Sequence, residues 1–161
     1  MNSHITWQES KNEKPIGAAS EIHGIEKNTI LFVEDEDIVR EAVSEFLQAA
    51  GYQVLKACTP NEAVTLFCQH RHEVQVLIAD LALPGQNGRR LASYLRELQP
   101  NFQTIFISGY PEHIIAMSLK NSPANFYLAK PFSLESLLKK IEQACAVRTE
   151  QTAAMHASCI E

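Results

Sequence analysis

From residue 29 onward the chain alternates two hydrophobic patterns. Short, nearly continuous apolar runs of strand length occur at Thr29–Val33, Tyr52–Ala57, Val74–Ala79, Thr104–Ile107 and Phe126–Ala129. Between them the apolar positions fall at helical spacing. In Asp37–Ala50 the repeat is Val39, Ala42, Val43, Phe46 and Leu47, and Gly51 ends it. Further helices are predicted at Pro60–Cys68, Asn87–Leu98, Pro111–Leu119 and Ser133 to about Cys145. Pro60 suits a first helical turn. Ser133 is placed to cap the last helix, whose Glu135 and Glu142 face outward. Five βα units in series predict an α/β fold. Several of the strands are apolar on both faces, as they are when helices cover both sides of a parallel sheet. In such sheets ligands bind beyond the carboxyl ends of the strands.

The flanks read differently. Residues 1–28 are polar and aperiodic, with Pro15, Gly17 and Gly24, and are expected to form a flexible N-terminal tail. The small, polar segment 147–161 is expected to fray as a C-terminal tail, which leaves one domain over 29–146.

Composition narrows the class. The chain has 161 residues, 45% of them hydrophobic, enough for a single core. A formal net charge of −5 supplies no global basic field, so nucleic acid is not an expected partner. Cys58, Cys68, Cys145 and Cys159 fall at no metal or redox spacing, which suggests reduced thiols. No apolar stretch is long enough to cross a bilayer, and residues 1–15 lack the pattern of a signal peptide. A soluble cytoplasmic protein is expected, without membrane partners.

The strand ends carry the chemistry. The first strand runs into Glu34-Asp35-Glu36-Asp37, the third ends in Asp80, the fourth in Ser108-Gly109 and the fifth in Lys130-Pro131. Acids, a hydroxyl and an ammonium therefore converge on one sheet edge. Clustered carboxylates repel unless a cation joins them. Hard oxygen ligands suit Mg²⁺, which takes one or two carboxylates, waters and a phosphate. An Asp carboxylate can attack phosphorus to give an acyl phosphate, and phosphoryl transfer asks mainly for positioning and charge neutralisation.

Each residue also has a plainer reading. Asp80 could cap the Pro84-Gly85 turn, Glu36 and Asp37 suit a helix N-terminus, Ser108 could be a loop hydroxyl, Lys130 a solvated lysine and Tyr127 a packing aromatic. The six histidines, His70 and His72 included, read as surface residues, since no third ligand stands near that pair.

Four motifs in this order and spacing tip the balance: FVEDED after the first strand, IADLALPGQNG after the third, TIFISG at the fourth and YLAKPF at the fifth. With them, Thr29–Cys145 resembles the receiver domain of two-component response regulators. The resemblance implies a flavodoxin-like (βα)5 sheet of order 2-1-3-4-5. It implies that Asp80 accepts a phosphoryl group from a histidine kinase or a histidine phosphotransfer protein. Asp35, Asp80 and the Ala82 carbonyl would ligate Mg²⁺, with Glu34 acting through a metal-bound water. Ser108 and Lys130 would hold the attached phosphoryl group, with Asp80 and Lys130 carrying the self-catalysed chemistry. Tyr127 would be the switch aromatic, and the bond to Pro131 is often cis. The switch would alter the surface formed by the fourth predicted helix, fifth strand and fifth helix. Glu34 stands where Asp is more frequent and Ser108 where Thr is more usual. Ala82 and Tyr110 occupy positions that influence phosphoryl lifetime. Ser108-Gly109-Tyr110 resembles receivers of hybrid sensor kinases.

Two rivals remain. Asp35-Glu36-Asp37-Ile38-Val39 also fits the DxDxV nucleophile motif of haloacid-dehalogenase-like phosphatases, with Asp35 as nucleophile. That reading lacks a later strand-end acidic pair and leaves Asp80 unused. The other rival is a phosphate-independent, receiver-like interaction module. The expectation is a stand-alone signalling receiver, not an enzyme in the ordinary sense. It would dock to a downstream protein effector or pass phosphate onward, as a monomer or weak homodimer.

Overall fold

The computed structural model describes residues 28–110 and 123–157. Five parallel strands form one sheet of order β2-β1-β3-β4-β5: β1 (Thr29–Val33), β2 (Gln53–Ala57), β3 (Val74–Asp80), β4 (Gln103–Ser108) and β5 (Asn125–Ala129). Four helices are described: α1 (Asp37–Ala49), α2 (Pro60–His70), α3 (Gly88–Leu98) and α4 (Leu134–Ala157). The doubly wound α/β fold expected from the alternating pattern is the fold observed. The helix predicted over Pro111–Leu119 and the tail over 1–28 lie almost wholly outside the described residues, which begin at Asn28.

The continuous apolar runs are explained by burial on both faces. Alternate residues of β1 enter opposite cores. Leu31 and Val33 join Phe67 of α2 and Leu91 and Leu95 of α3. Ile30 and Phe32 join Val43 and Leu47 of α1 and Leu137 and Ile141 of α4. Each large side chain so buried contributes about 1.5–3 kcal/mol. Both faces are used, so a strand can shift neither register nor facing without exposing one core.

Three of the four described helices start where a side chain satisfies a free N–H group, and α1 after Glu36 has no such cap. Thr59 accepts from the Glu62 N–H at 3.2 Å with Pro60 following it, Asn87 accepts from the Arg89 N–H at 2.9 Å, and Ser133 accepts from the Ser136 N–H at 3.1 Å. Glu62 also turns back to accept from the Cys58 N–H at 2.7 Å. Cys58, Cys68 and Cys145 are free thiols.

One expectation is corrected. The backbone of 147–157, read from sequence as a fraying tail, is the last part of α4. No Gly or Pro interrupts Val147–Ala157, and Ala, Arg, Glu and Gln favour helix without needing a buried face. Thr149 adds a bond from its hydroxyl to the Cys145 carbonyl at 3.1 Å. Small, polar composition was a poor guide because it matches helix-forming sequence as well as it matches a tail.

Candidate functional site

The carboxyl edge of the sheet gathers the residues that the motifs single out. Asp80 closes β3 between β1 and β4, with 7% of its surface exposed. Lys130 follows β5, yet its Nζ reaches Asp80 Oδ2 at 2.5 Å and stands 3.6 Å from Glu34 Oε2. The other Asp80 oxygen accepts the Ala82 N–H at 2.8 Å, the short-range turn bond that an Asp at a strand end can make. The turn bond of the plain reading thus takes one oxygen of Asp80, and Lys130 takes the other.

The acids after β1 divide. Glu34 is 2% exposed, and its Oε1 accepts the Glu36 N–H at 3.2 Å. Burial pushes its carboxyl above the usual carboxylate range. The Glu36 N–H and the Lys130 charge oppose that rise, while Asp80 and Asp35 add to it. Asp35 is exposed at the rim. Asp37 opens α1 and pairs with Arg40. Burial pulls the Lys130 ammonium down, but the bond to Asp80, its charge and that of Glu34 outweigh this and leave it raised.

Ser108 ends β4, 2% exposed; its hydroxyl oxygen accepts the Tyr110 N–H at 3.1 Å and its carbonyl accepts the Lys130 N–H at 2.7 Å. The Lys130–Pro131 peptide is cis. Tyr127 is half-buried, its ring stacked on Phe106 with centroids 5.8 Å apart, so it acts as a packing aromatic. Tyr110 is 68% exposed beside Ser108.

Two residues of the site went unnoticed in sequence. A Cβ on Gly88 would overlap the carbonyl oxygen of Asp80 and stand 3.1 Å from its carbon, so only glycine lets α3 start against the end of β3. The signal was there: a glycine opening a helix costs helix propensity and asks for a packing reason. Arg40 is the other. Its Nη1 donates to the Glu34 carbonyl at 2.8 Å while Nη2 bonds Asp37, and its side chain is 12% exposed. The spacing of Asp37 and Arg40 on one helix face hinted at the pair, though not at the carbonyl.

Among the described residues no three His, Cys, Asp or Glu side chains stand together as a ready metal cluster. His70 lies 3.4 Å from Glu73 and His72 is exposed. Two carboxylates, Glu34 and Asp80, meet the ammonium of Lys130, a formal surplus of one negative charge, and Asp35 stands beside Glu34. Such a site would suit a divalent cation that needs few side-chain ligands and completes its shell with carbonyl oxygen and water. No described helix is long and apolar enough to cross a membrane.

Comparison with known proteins places this geometry. Residues 30–142 match the family model of the response regulator receiver domain. The sensor kinase CckA of Brucella abortus is 34% identical over 131 residues, which is 81% of this chain and 14% of CckA. The regulatory protein VanRB of Enterococcus faecalis is 36% identical over 70% of this chain and 50% of its own length. The chain thus spans half or less of these relatives. Among solved structures, the receiver domain of the hybrid histidine kinase CckA superposes with TM-score 0.63 at 31% identity, covering 73% of this chain and 99% of that one. The response regulator TrrA of Thermotoga maritima, in complex with Mg²⁺ and BeF, gives TM-score 0.62 at 28% identity over 73% of this chain and 98% of its own.

Proposed function

The chain belongs to the response regulator receiver domains of two-component systems, and from that premise we propose that Asp80 is its phosphoacceptor. The observation that carries the proposal is the Lys130–Asp80 pair at the sheet edge, held 50 residues apart in sequence by adjacent strand ends. Asp80 takes the phosphoryl group from a phosphohistidine on a histidine kinase or histidine phosphotransfer protein. The donor's P–N bond breaks as a P–O bond to Asp80 forms. Asp35, Asp80 and the Ala82 carbonyl are the proposed Mg²⁺ ligands, with Glu34 acting through water. The excess of carboxylate over ammonium where Glu34 and Asp80 share Lys130 supports this set. When bound, Mg²⁺ supplies charge neutralisation for the phosphoryl oxygens.

The remaining steps belong to the side chains. Lys130 moves from the Asp80 carboxylate to a phosphoryl oxygen, its charge kept throughout. Ser108 gives up the Tyr110 N–H and turns its hydroxyl toward the new oxygens. Phosphorylation adds roughly −1.5 to −2 charges here, so Ser108 and the Gly109-Tyr110 turn are drawn inward. Tyr127 turns with it from its place against Phe106, and a partner that prefers one form shifts the population. The output is docking to a downstream effector or onward relay. Similarity to the receiver of a hybrid histidine kinase supports relay. The phosphatase alternative has lost its support, because Lys130 pairs with Asp80 and not with Asp35.

The test is labelling by acetyl phosphate with Mg²⁺ in the wild type and in Asp80→Asn. The wild type should label and the variant should not. Full labelling of Asp80→Asn would move the acceptor elsewhere, and a folded wild type that never labels would favour the phosphate-independent module.

A further inference from the structure

Resting on the Mg²⁺ reading above, we infer that Arg40 is a positioning residue for the metal-binding acids. Its guanidinium spans the junction of β1 and α1 with two prongs. One donates to the Glu34 carbonyl at 2.8 Å and the other bonds the Asp37 carboxylate. The Glu34 carbonyl belongs to the peptide that joins Glu34 to Asp35. Holding that oxygen fixes the plane from which both acids project. The junction's other restraints are the Glu34 N–H on the Ala57 carbonyl at 3.1 Å, the Glu36 N–H on Glu34 Oε1, the Arg40 N–H on the Glu36 carbonyl at 2.9 Å and a side-chain bond between Asp35 and Glu34. These act elsewhere, whereas the Arg40 guanidinium holds the peptide oxygen between the two acids. Arg40 is itself only 12% exposed, so its fork is not a wandering surface contact. A planar, two-pronged donor suits this task; a lysine offers the charge without the fork.

The proposal makes a prediction whose sign separates it from a bulk electrostatic role. Arg40 is a cation beside an acidic cluster. If it acted only as a charge, removing it would strengthen Mg²⁺ binding. If it orients the acids, removing it weakens binding. Calorimetric Mg²⁺ titration should show the dissociation constant of Arg40→Met raised about tenfold, the lower end of what is lost when a group orienting metal ligands is removed. Arg40→Lys should fall between Arg40→Met and the wild type. Asp37→Asn, at an 83% exposed side chain that poses no threat to folding, should weaken binding by about two- to threefold, the fraction of the effect due to one prong. At saturating Mg²⁺ the acetyl phosphate labelling rate of Arg40→Met should return to the wild-type value, because Arg40 touches no reacting atom.

Unchanged or tighter Mg²⁺ binding by Arg40→Met overturns the inference while leaving the metal site intact. So does full equivalence of Arg40→Lys with the wild type. A wild type that binds no Mg²⁺ removes the site reading and this inference with it.

Discussion

The two edges of the sheet are built from the same five strands and differ in kind. At the amino edge the strands begin with Thr29, Gln53, Val74, Gln103 and Asn125, all uncharged. Thr29 meets Gln53 there at 3.5 Å, and a cation is added from outside the sheet. Arg96 of α3 donates to Thr104 Oγ1 at 2.8 Å and to Asn125 Oδ1 at 2.9 Å. At the carboxyl edge the strands run into Glu34, Asp80, Ser108 and Lys130, three of them ionisable and crowded into mutual contact. Among the described residues, the amino edge closes with amides, hydroxyls and a guanidinium, and the buried acids Glu34 and Asp80 both lie at the other edge, so the cost of burying them is not explained by closing off strand ends. Costly, paired charges concentrated at one edge support the site proposed there.

Mutations should separate the edges. Lys130→Met strips the carboxyl edge of its cation and should slow acetyl phosphate labelling by about 10²-fold, the usual loss when a preorganised charge is removed from a developing anion. A labelling rate near wild type would mean that Lys130 is there only for the folded state. Gly88→Ala comes next. It forces a methyl group onto the Asp80 carbonyl and should cost about 1–3 kcal/mol in urea unfolding, as overpacking does, and also lower labelling because the acceptor's own backbone must shift. Arg96→Met at the amino edge should destabilise by a similar 1–3 kcal/mol or so, by leaving Thr104 and Asn125 without their donor. It should leave labelling and Mg²⁺ affinity unchanged, and a loss of either would erase the contrast between edges.

The smallest effect is a pH dependence. Lys130 is held above its ordinary value of 10.5 when folded. A group raised in the folded state adds stability that is complete below the unfolded value and lost as pH climbs through the folded one. Urea midpoints taken on either side of 10.5 should therefore drop, and Lys130→Met should flatten that drop.

The sequence disclosed these edges unequally. Asp80, Ser108 and Lys130 were legible because each ends an apolar run, and a parallel sheet must bring such ends together. The strands and their two-sided burial were legible for the same reason. What the pattern could not rank was Glu34 against Asp35. They are neighbours of the same charge, and only packing decides that one is buried and the other at the rim. Gly88 and Arg40 act on backbone carbonyls, and no spacing of side chains announces a carbonyl partner. The end of α4 was misjudged because helix propensity persists in Val147–Ala157 after the apolar repeat has stopped.

The contact between Gly88 and Asp80 has a mechanical consequence. With no room for even a methyl group between them, the first turn of α3 backs the acceptor's main chain like a wall. A bulky group arriving on Asp80 cannot be absorbed by recoil in that direction. On the proposed function, any adjustment to the new group falls to the other side of Asp80, where Lys130 bonds its carboxylate.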